Sequence, residues 1–325
     1  MGFGTQVAEH LGVQISEHEE YCFEDGECYT APRTGTKENV RGRDVFVISS
    51  LYTDEQESIN DKIVKTLILC GALRDASASR ITLVTPYYPY ARQDRKTTSR
   101  APITTKYIAR LFQSVWVDRI LAIDVHNPGA IQNAFAIPCD LLEANILFAD
   151  FIQDVIRKND YDPNNLAVLS PDAGGLGRAR KFRKILSNLL HVEVGIACLD
   201  KIHSGREIKG HDIMGVVKDK DVLIFDDMIS SGQTTLECIK SCGNARSIMG
   251  VCATHGLFVG KANENLMTQS LTRIAVTDTI HPFRLHCEVA RKKLSIINTT
   301  HLFAKAIARI HRSESISDLL NGGCH

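Results

Sequence analysis

Short apolar runs rich in β-branched residues alternate with stretches of helical spacing along most of this chain, and that alternation restricts the fold more than any other feature. Candidate strands are VFVIS (45–49), ITLVT (81–85), RILAID (119–124), LAVLS (166–170), VGIACL (194–199), VLIFD (222–226), IMGVCAT (248–254) and RIAVTD (273–278). Between them Ile59, Ile63, Leu67 and Ala72 mark one helical face. Ile103, Tyr107, Ile108, Leu111 and Phe112 mark another, and Phe182, Ile185, Leu186 and Leu189 a third. Strands that are apolar throughout and separated by helices belong in parallel sheets covered on both faces. Ligands of such sheets gather beyond the carboxyl ends of the strands.

A length of 325 residues is comfortable for two cores and long for one. The segment LEANILFADFIQDVIRKNDYDPNN ends in Asn, Asp and Pro residues, which suits a joint near 145–165. The predicted fold class is α/β, with two similar domains of mostly parallel sheets flanked by helices. Their expected bounds are 1–145 and 146–300, with a closing helix and tail over 301–325 that packs back on the first domain. The stretch 205–217, GREIKGHDIMGVV, suits a small hairpin or flap. No run approaches the roughly twenty apolar residues needed to span a bilayer, and the start MGFGTQVAEHLG lacks the pattern of a secretory signal. A cytoplasmic protein with no membrane partner is expected. Lys+Arg and Asp+Glu both number 38, and that balance argues against a nucleic-acid surface. The 10 cysteines contain no CxxC pair; Cys22 and Cys28 flank an acidic turn, and reduced packing thiols are expected.

Polar clusters follow several of the strands. In VLIFDDMISSGQTT, Asp226 and Asp227 precede a loop of small residues and a helix. Backbone N–H groups of that loop, its hydroxyls and the helix N-terminus suit a phosphate, while the carboxylates suit sugar hydroxyls. In TPYYPYARQDRKTTSRAPIT, Arg92, Gln93, Asp94, Arg95 and Lys96 sit beside Tyr87, Tyr88 and Tyr90. A charged surface loop and a polyphosphate or nucleotide site fit that composition equally. Asp124 and His126 lie two apart, so an extended backbone would turn them to the same side. Asp172, in SPDAGGLGRAR, precedes glycines that allow close backbone approach. His126 and Asp172 are too few for a structural zinc site, but suit Mg²⁺ whose shell is completed by water and substrate phosphates. Lys201 follows a strand, where a cation can stabilise a phosphoryl group in transit.

Taken together, FEDGE, PYARQD, SRAPI, DVH, AIPCD, SPDAGG, DDMISSGQTT, THG and IARIHRSESIS resemble the ribose-phosphate diphosphokinase family, over nearly the whole chain. The resemblance implies two domains of the phosphoribosyltransferase type. It implies transfer of the diphosphoryl group of ATP to the 1-hydroxyl of ribose 5-phosphate, with Mg²⁺ as cofactor. It also implies a homo-oligomer built from dimers, as large as a hexamer. By the same resemblance Phe23 stacks on adenine, with Asp25 and Glu27 serving the nucleotide site of a neighbouring subunit. Arg92, Gln93 and Asp94 belong to the ATP site, and His126 and Asp172 to the metal. Asp226 and Asp227 meet the ribose hydroxyls, and Ser230, Ser231, Gly232, Gln233 and Thr234 the 5-phosphate. Lys201 stabilises the group in transit.

Three departures from the family pattern stand out. His203 occupies a position where the family carries arginine, which removes a bidentate fork unless Arg206 takes its part. The segment after DVH carries one extra residue, and Leu141 and Glu143 replace the usual Asn and Tyr where many members bind regulatory phosphate and ADP. The strand that usually precedes the first helix is nearly absent, which would weaken a sheet edge. A catalytically weak regulatory homologue is the alternative function that these departures raise; an ordinary phosphoribosyltransferase is a third.

Overall fold

The computed structural model describes residues 2–33, 39–204 and 207–320, and the side chains of these except 201–211. The chain divides into two compact units, Met1–Glu143 with Thr300–His325, and Ala144–Thr299.

The first unit opens with α1 (Phe3–Leu11) and a two-stranded hairpin, β1 (His18–Cys22) and β2 (Cys28–Pro32). A parallel sheet follows, built from β3 (Asp44–Ile48), α2 (Ile59–Asp75), β4 (Arg80–Val84), α3 (Thr104–Ser114), β5 (Arg119–Ile123), α4 (Pro128–Ala134) and β6 (Cys139–Leu142), with strand order β3-β4-β5-β6. Helix α2 starts at a capping box: Ser58 Oγ accepts from the Asp61 N–H, and the Asp61 carboxylate accepts from the Ser58 N–H at 3.0 Å. Two backbone donors that a helix start leaves unsatisfied are thereby paired. Lys65 on α2 is buried and donates to Glu20 of β1 and to Glu57, so the hairpin is tied to this helix.

The second unit runs through α5 (Asn145–Asn159), β7 (Leu166–Ser170), α6 (Leu176–Leu190), β8 (Gly195–Ser204), β9 (Glu207–Gly215), β10 (Asp221–Ile229), α7 (Gln233–Ser241), β11 (Ser247–Gly256), α8 (Ala262–Asn265), β12 (Ile274–Thr277), α9 (Glu288–Lys292) and β13 (Leu294–Ile297). Its seven-stranded sheet has the order β13-β12-β11-β10-β7-β8-β9, parallel except for β9, which runs antiparallel to β8. The stretch 205–217, expected as a small hairpin or flap, supplies only β9, which pairs with the extended end of β8 rather than folding on itself. Phe225 of β10 is buried between helices, stacked on Phe182 at 4.1 Å and edge-on to Phe148 at 5.7 Å. Burying such a ring is worth about 1.5–3 kcal/mol, with a further contribution from each aromatic pair. The chain closes with α10 (Thr300–His311) and α11 (Ser317–Leu320), grouped with the first unit; Phe303 meets Phe3 edge-on at 5.3 Å.

The α/β architecture and the eight strands expected from the sequence are present, with β8, β10 and β11 longer than their apolar runs. Strands β1, β2, β6 and β13 had no sequence signal. No described helix is long and apolar enough to cross a membrane.

Candidate active site

In the second sheet the chain goes from β7 outward to β8 and β9, then returns to lay β10 on the other flank of β7. The strand order therefore reverses between β7 and β10, which is where open α/β sheets form a binding crevice. Asp172 follows β7, and Asp226 and Asp227 lie on β10, so the sequence-predicted residues flank this switch point.

The acid pair does not end its strand. β10 continues to Ile229 beside β11, with Met228 opposite His255 and Ile229 opposite Gly256, whereas its pairing with β7 stops at Ile224. Arg178, in the first turns of α6, was not singled out from the sequence, yet its Nη1 lies 3.4 Å from Asp226 Oδ1 and 3.2 Å from Asp227 Oδ1. Asp226 Oδ1 also accepts from the Asp227 N–H at 2.8 Å. Burial, followed by the Asp227 charge, holds the Asp226 carboxyl well above the usual carboxylate range, and Arg178 opposes that shift. The signal for Arg178 was the acid pair itself, because adjacent buried carboxylates call for a cation nearby.

The loop after β10 is held from outside. The Ser230 carbonyl accepts from the Val259 N–H at 2.9 Å, and the Ser231 carbonyl from Asn265 Nδ2 at 2.9 Å. In a trans peptide the N–H points opposite to the C=O, so the N–H groups of Ser231 and Gly232 are directed away from these partners. Gly232 has φ 71° and leads directly into α7, whose first residues are Gln233 and Thr234. A Cβ there would lie 3.0 Å from Leu266 Cγ, so only glycine fits both the conformation and the space. The start of this nine-residue helix has the dipole and the N–H groups that suit an anion, with the Gln233 N–H donating to Ser231 Oγ at 3.4 Å.

Asp172 is exposed, and its Oδ1 accepts from the Gly175 N–H at 2.8 Å, shaping the turn into α6. A Cβ at Gly175 would come 3.0 Å from Ser170 Oγ, which accounts for that glycine.

In the first unit, Arg92 and Gln93 are exposed in the loop between β4 and α3, and Gln93 Oε1 accepts from Thr104 Oγ1 at 2.5 Å. Asp94 accepts from Asn127 Nδ2 at 2.6 Å, which joins this loop to the segment carrying His126. Tyr87 and Tyr88 are core residues and do not line this charged loop; Tyr88 is 1% exposed and packs edge-on to Phe135 at 5.9 Å. The expectation that Asp124 and His126 share a side fails because β5 ends at Ile123 and Asp124 turns into the left-handed region, φ 41°. Asp124 is buried and His126 exposed.

Phe23, Asp25 and Glu27 sit on the β1–β2 turn. The Phe23 N–H donates to the Glu27 carbonyl at 2.8 Å, and Asp25 Oδ1 accepts from the Glu27 N–H at 3.1 Å. Phe23 is 51% exposed and available to a ring. Lys201 and His203 fall on the backbone of β8, but their side chains lie outside the described residues.

Among the described residues no group of three or more His, Cys, Asp or Glu could hold a metal ion. The His126 imidazole is exposed in the first unit, and the Asp172 carboxylate in the second has one oxygen engaged by the Gly175 N–H; neither unit by itself offers a protein cage among the described residues. A lone imidazole or a lone carboxylate of this kind suits Mg²⁺ that arrives with phosphates and keeps most of its own water.

Two family models match the chain. Residues 2–115 match the N-terminal domain of ribose phosphate pyrophosphokinase, and residues 201–321 the phosphoribosyl synthetase-associated domain. A ribose-phosphate pyrophosphokinase of Campylobacter jejuni is 37% identical, covering 98% of this chain and 95% of its own length. One from Thermotoga maritima is 34% identical, covering 97% and 93%. Among solved structures, the phosphoribosylpyrophosphate synthetase of Mycobacterium smegmatis superposes with a TM-score of 0.82 at 29% identity, over 96% of this chain and 95% of that one.

Proposed function

The chain belongs to the ribose-phosphate pyrophosphokinase family, and we propose that it transfers the diphosphoryl group of ATP to the 1-hydroxyl of ribose 5-phosphate, giving 5-phosphoribosyl 1-diphosphate and AMP. The observation that carries this reading is the acid pair at the sheet's switch point, leading into a loop whose N–H groups converge at the start of α7. A sugar phosphate matches it end to end. Its hydroxyls donate to Asp226 and Asp227, and its phosphate accepts from Ser230, Ser231, Gly232, Gln233 and Thr234.

The nucleotide falls to Arg92 and Gln93, with Asp94 positioning their loop against Asn127. Phe23 stacks on adenine, with Asp25 and Glu27 beside it, in the site of a neighbouring subunit. The working form is then a homo-oligomer built from dimers, up to a hexamer, in the cytoplasm. The 1-hydroxyl oxygen attacks the β-phosphorus in line as the bond to the α-phosphate oxygen breaks. AMP leaves with that oxygen, and the hydroxyl proton passes to solvent. Lys201 places its charge on the group in transit, where developing charge gives a cation the greatest leverage. Mg²⁺ on the phosphates, with His126 and Asp172 as its protein partners, would supply charge neutralisation at their oxygens.

Incubation with ATP, ribose 5-phosphate and Mg²⁺ should yield AMP and 5-phosphoribosyl 1-diphosphate in equal amounts. Absence of product from folded protein that still binds both substrates would overturn this reading in favour of a regulatory homologue. Consumption of 5-phosphoribosyl 1-diphosphate with a nucleobase would favour a phosphoribosyltransferase.

The raised pKa of Asp226 gives a second expectation. Below that pKa the carboxyl is protonated and loses an acceptor for sugar hydroxyls. KM for ribose 5-phosphate should therefore rise as pH falls through it, and Asp226→Asn should flatten that limb at a higher KM. A wild-type KM that is constant with pH would count against the assignment.

A further inference from the structure

The turn that carries Phe23, Asp25 and Glu27 is bracketed by two thiols. Cys22 ends β1, Cys28 begins β2, and the antiparallel register sets them directly opposite each other. The next pair along, Phe23 and Glu27, is a hydrogen-bonded pair. Hydrogen-bonded and non-hydrogen-bonded pairs alternate along such a ladder, so Cys22 and Cys28 form a non-hydrogen-bonded pair. Pairs of that kind bring Cα atoms to about 4.5 Å, with their side chains close together on one face. Disulfides form across Cα separations of about 4.4–6.8 Å. Both thiols are free in the structure.

Their surroundings divide the labour. Side chains alternate across a strand, so the thiols share a face with Glu20 and Thr30. Glu20 accepts from Lys65 at 3.0 Å and Thr30 is buried, which puts that face toward α2. The opposite face carries Tyr21, Phe23 and Tyr29, with Tyr21 and Tyr29 stacked at 4.8 Å and Tyr21 edge-on to Phe23 at 5.2 Å. Cys22 is exposed, so the expectation of packing thiols fails there; Cys28 is partly buried. Burial and then the neighbouring Cys22 push the Cys28 thiol up, while Lys65 draws it down. Elsewhere burial holds Cys70 at about 12 and Cys242 at about 11, where thiolate is scarce.

We propose that Cys22 and Cys28 form a reversible disulfide that locks the Phe23–Glu27 turn and so tunes nucleotide binding; the coupling to nucleotide rests on the role of that turn proposed above. With hydrogen peroxide as oxidant, the Cys22 thiolate attacks one peroxide oxygen. The S–O bond forms, the O–O bond breaks, and the leaving hydroxide takes a proton to become water. The Cys28 thiolate then attacks the Cys22 sulfur. The S–S bond forms, the S–O bond breaks, and a second water leaves. The two thiols together lose two electrons and two protons, and the peroxide is reduced to two waters. A dithiol reductant reverses the change by exchange. The disulfide lies on the α2 face, so it leaves Phe23 uncovered while removing freedom from the turn.

Pre-ordering a binding loop lowers the entropy lost on binding, so oxidation should lower KM for ATP by about threefold. The test compares full-length protein reduced with dithiothreitol and protein treated with hydrogen peroxide that is then removed. Peptide mapping without reduction reads the bond, and steady-state kinetics read KM for ATP. The expected result is a Cys22–Cys28 cross-linked peptide, a lower KM restored by dithiothreitol, and no response in Cys22→Ser. Absence of that peptide overturns the disulfide and leaves the nucleotide reading standing. A mapped disulfide with KM unchanged or raised overturns the coupling. Phe23→Ala separates the two ideas: in reduced protein it should raise KM for ATP. If it does not, the reading of the turn fails independently of the disulfide.

Discussion

Arg178→Met should raise KM for ribose 5-phosphate by roughly tenfold or more, the scale set by losing a hydrogen bond to a charged group. Arg178 Nη1 is shared between Asp226 and Asp227, and the Asp227 side chain is only 3% exposed. Without the guanidinium the pair keeps its mutual repulsion and its burial, so the carboxyl of Asp226 moves further up. More of the pair is then protonated at neutral pH, and the sugar hydroxyls lose an acceptor. Breaking a buried ion pair from one side also costs about 3–5 kcal/mol of folding stability when both partners are fully desolvated. Part of Arg178 and Asp226 reaches solvent, so the lower end applies here. Arg178→Lys should recover part of both losses, because it restores the charge without the planar fork. The checks are KM for ribose 5-phosphate as a function of pH, with the acid limb displaced upward in Arg178→Met, and a urea melt. Unchanged values in both would remove Arg178 from the site.

Gly232→Val should impair the same substrate by a different route, with KM for ATP left near the wild-type value. Gly232 holds φ 71°, a region that costs an ordinary L residue about 1–2 kcal/mol. Its missing Cβ would meet Leu266 Cγ at 3.0 Å, and Leu266 is fully buried, so the neighbour cannot swing into solvent. Relief must come from the loop, whose N–H groups would then no longer converge. A loss of about a hundredfold in kcat/KM for ribose 5-phosphate is expected, the order seen when reacting groups are misplaced by an ångström. Gly232→Ala with Leu266→Ala distinguishes the causes: the double variant removes the contact but keeps the backbone strain, so it should recover only part of the loss. Full recovery would mean that space alone requires glycine.

Where the physics is local, the sequence was legible. LAVLS and VLIFD read as strands because four consecutive apolar residues suit a strand covered on both faces. The loop before α7 read as a turn into a helix because Gly232 and the following helix are contiguous in the chain. What was missed is non-local or concealed by polarity. Asp226, Asp227 and Met228 hid the last part of β10, which β11 holds in place through the register at His255 and Gly256. Strand β1, HEEYC, is exposed along its whole length and shows no apolar alternation; its tie to the fold is Lys65 on α2. Tyr87 and Tyr88 sit beside a run of cations in sequence, yet the turn after β4 sends both into the core. The side of His126 depended on one backbone torsion at Asp124, which spacing alone does not reveal.

The division of the chain also orders events during synthesis. The second unit is a single contiguous stretch, Ala144–Thr299, while the first is completed only by residues from Thr300 onward. Phe3 stays without its edge-on partner Phe303 until the ribosome has translated the entire second unit. The usual vectorial order, in which the amino-terminal domain matures first, is therefore reversed. The second unit has all its own contacts in hand while the first still waits for the helix that begins at Thr300.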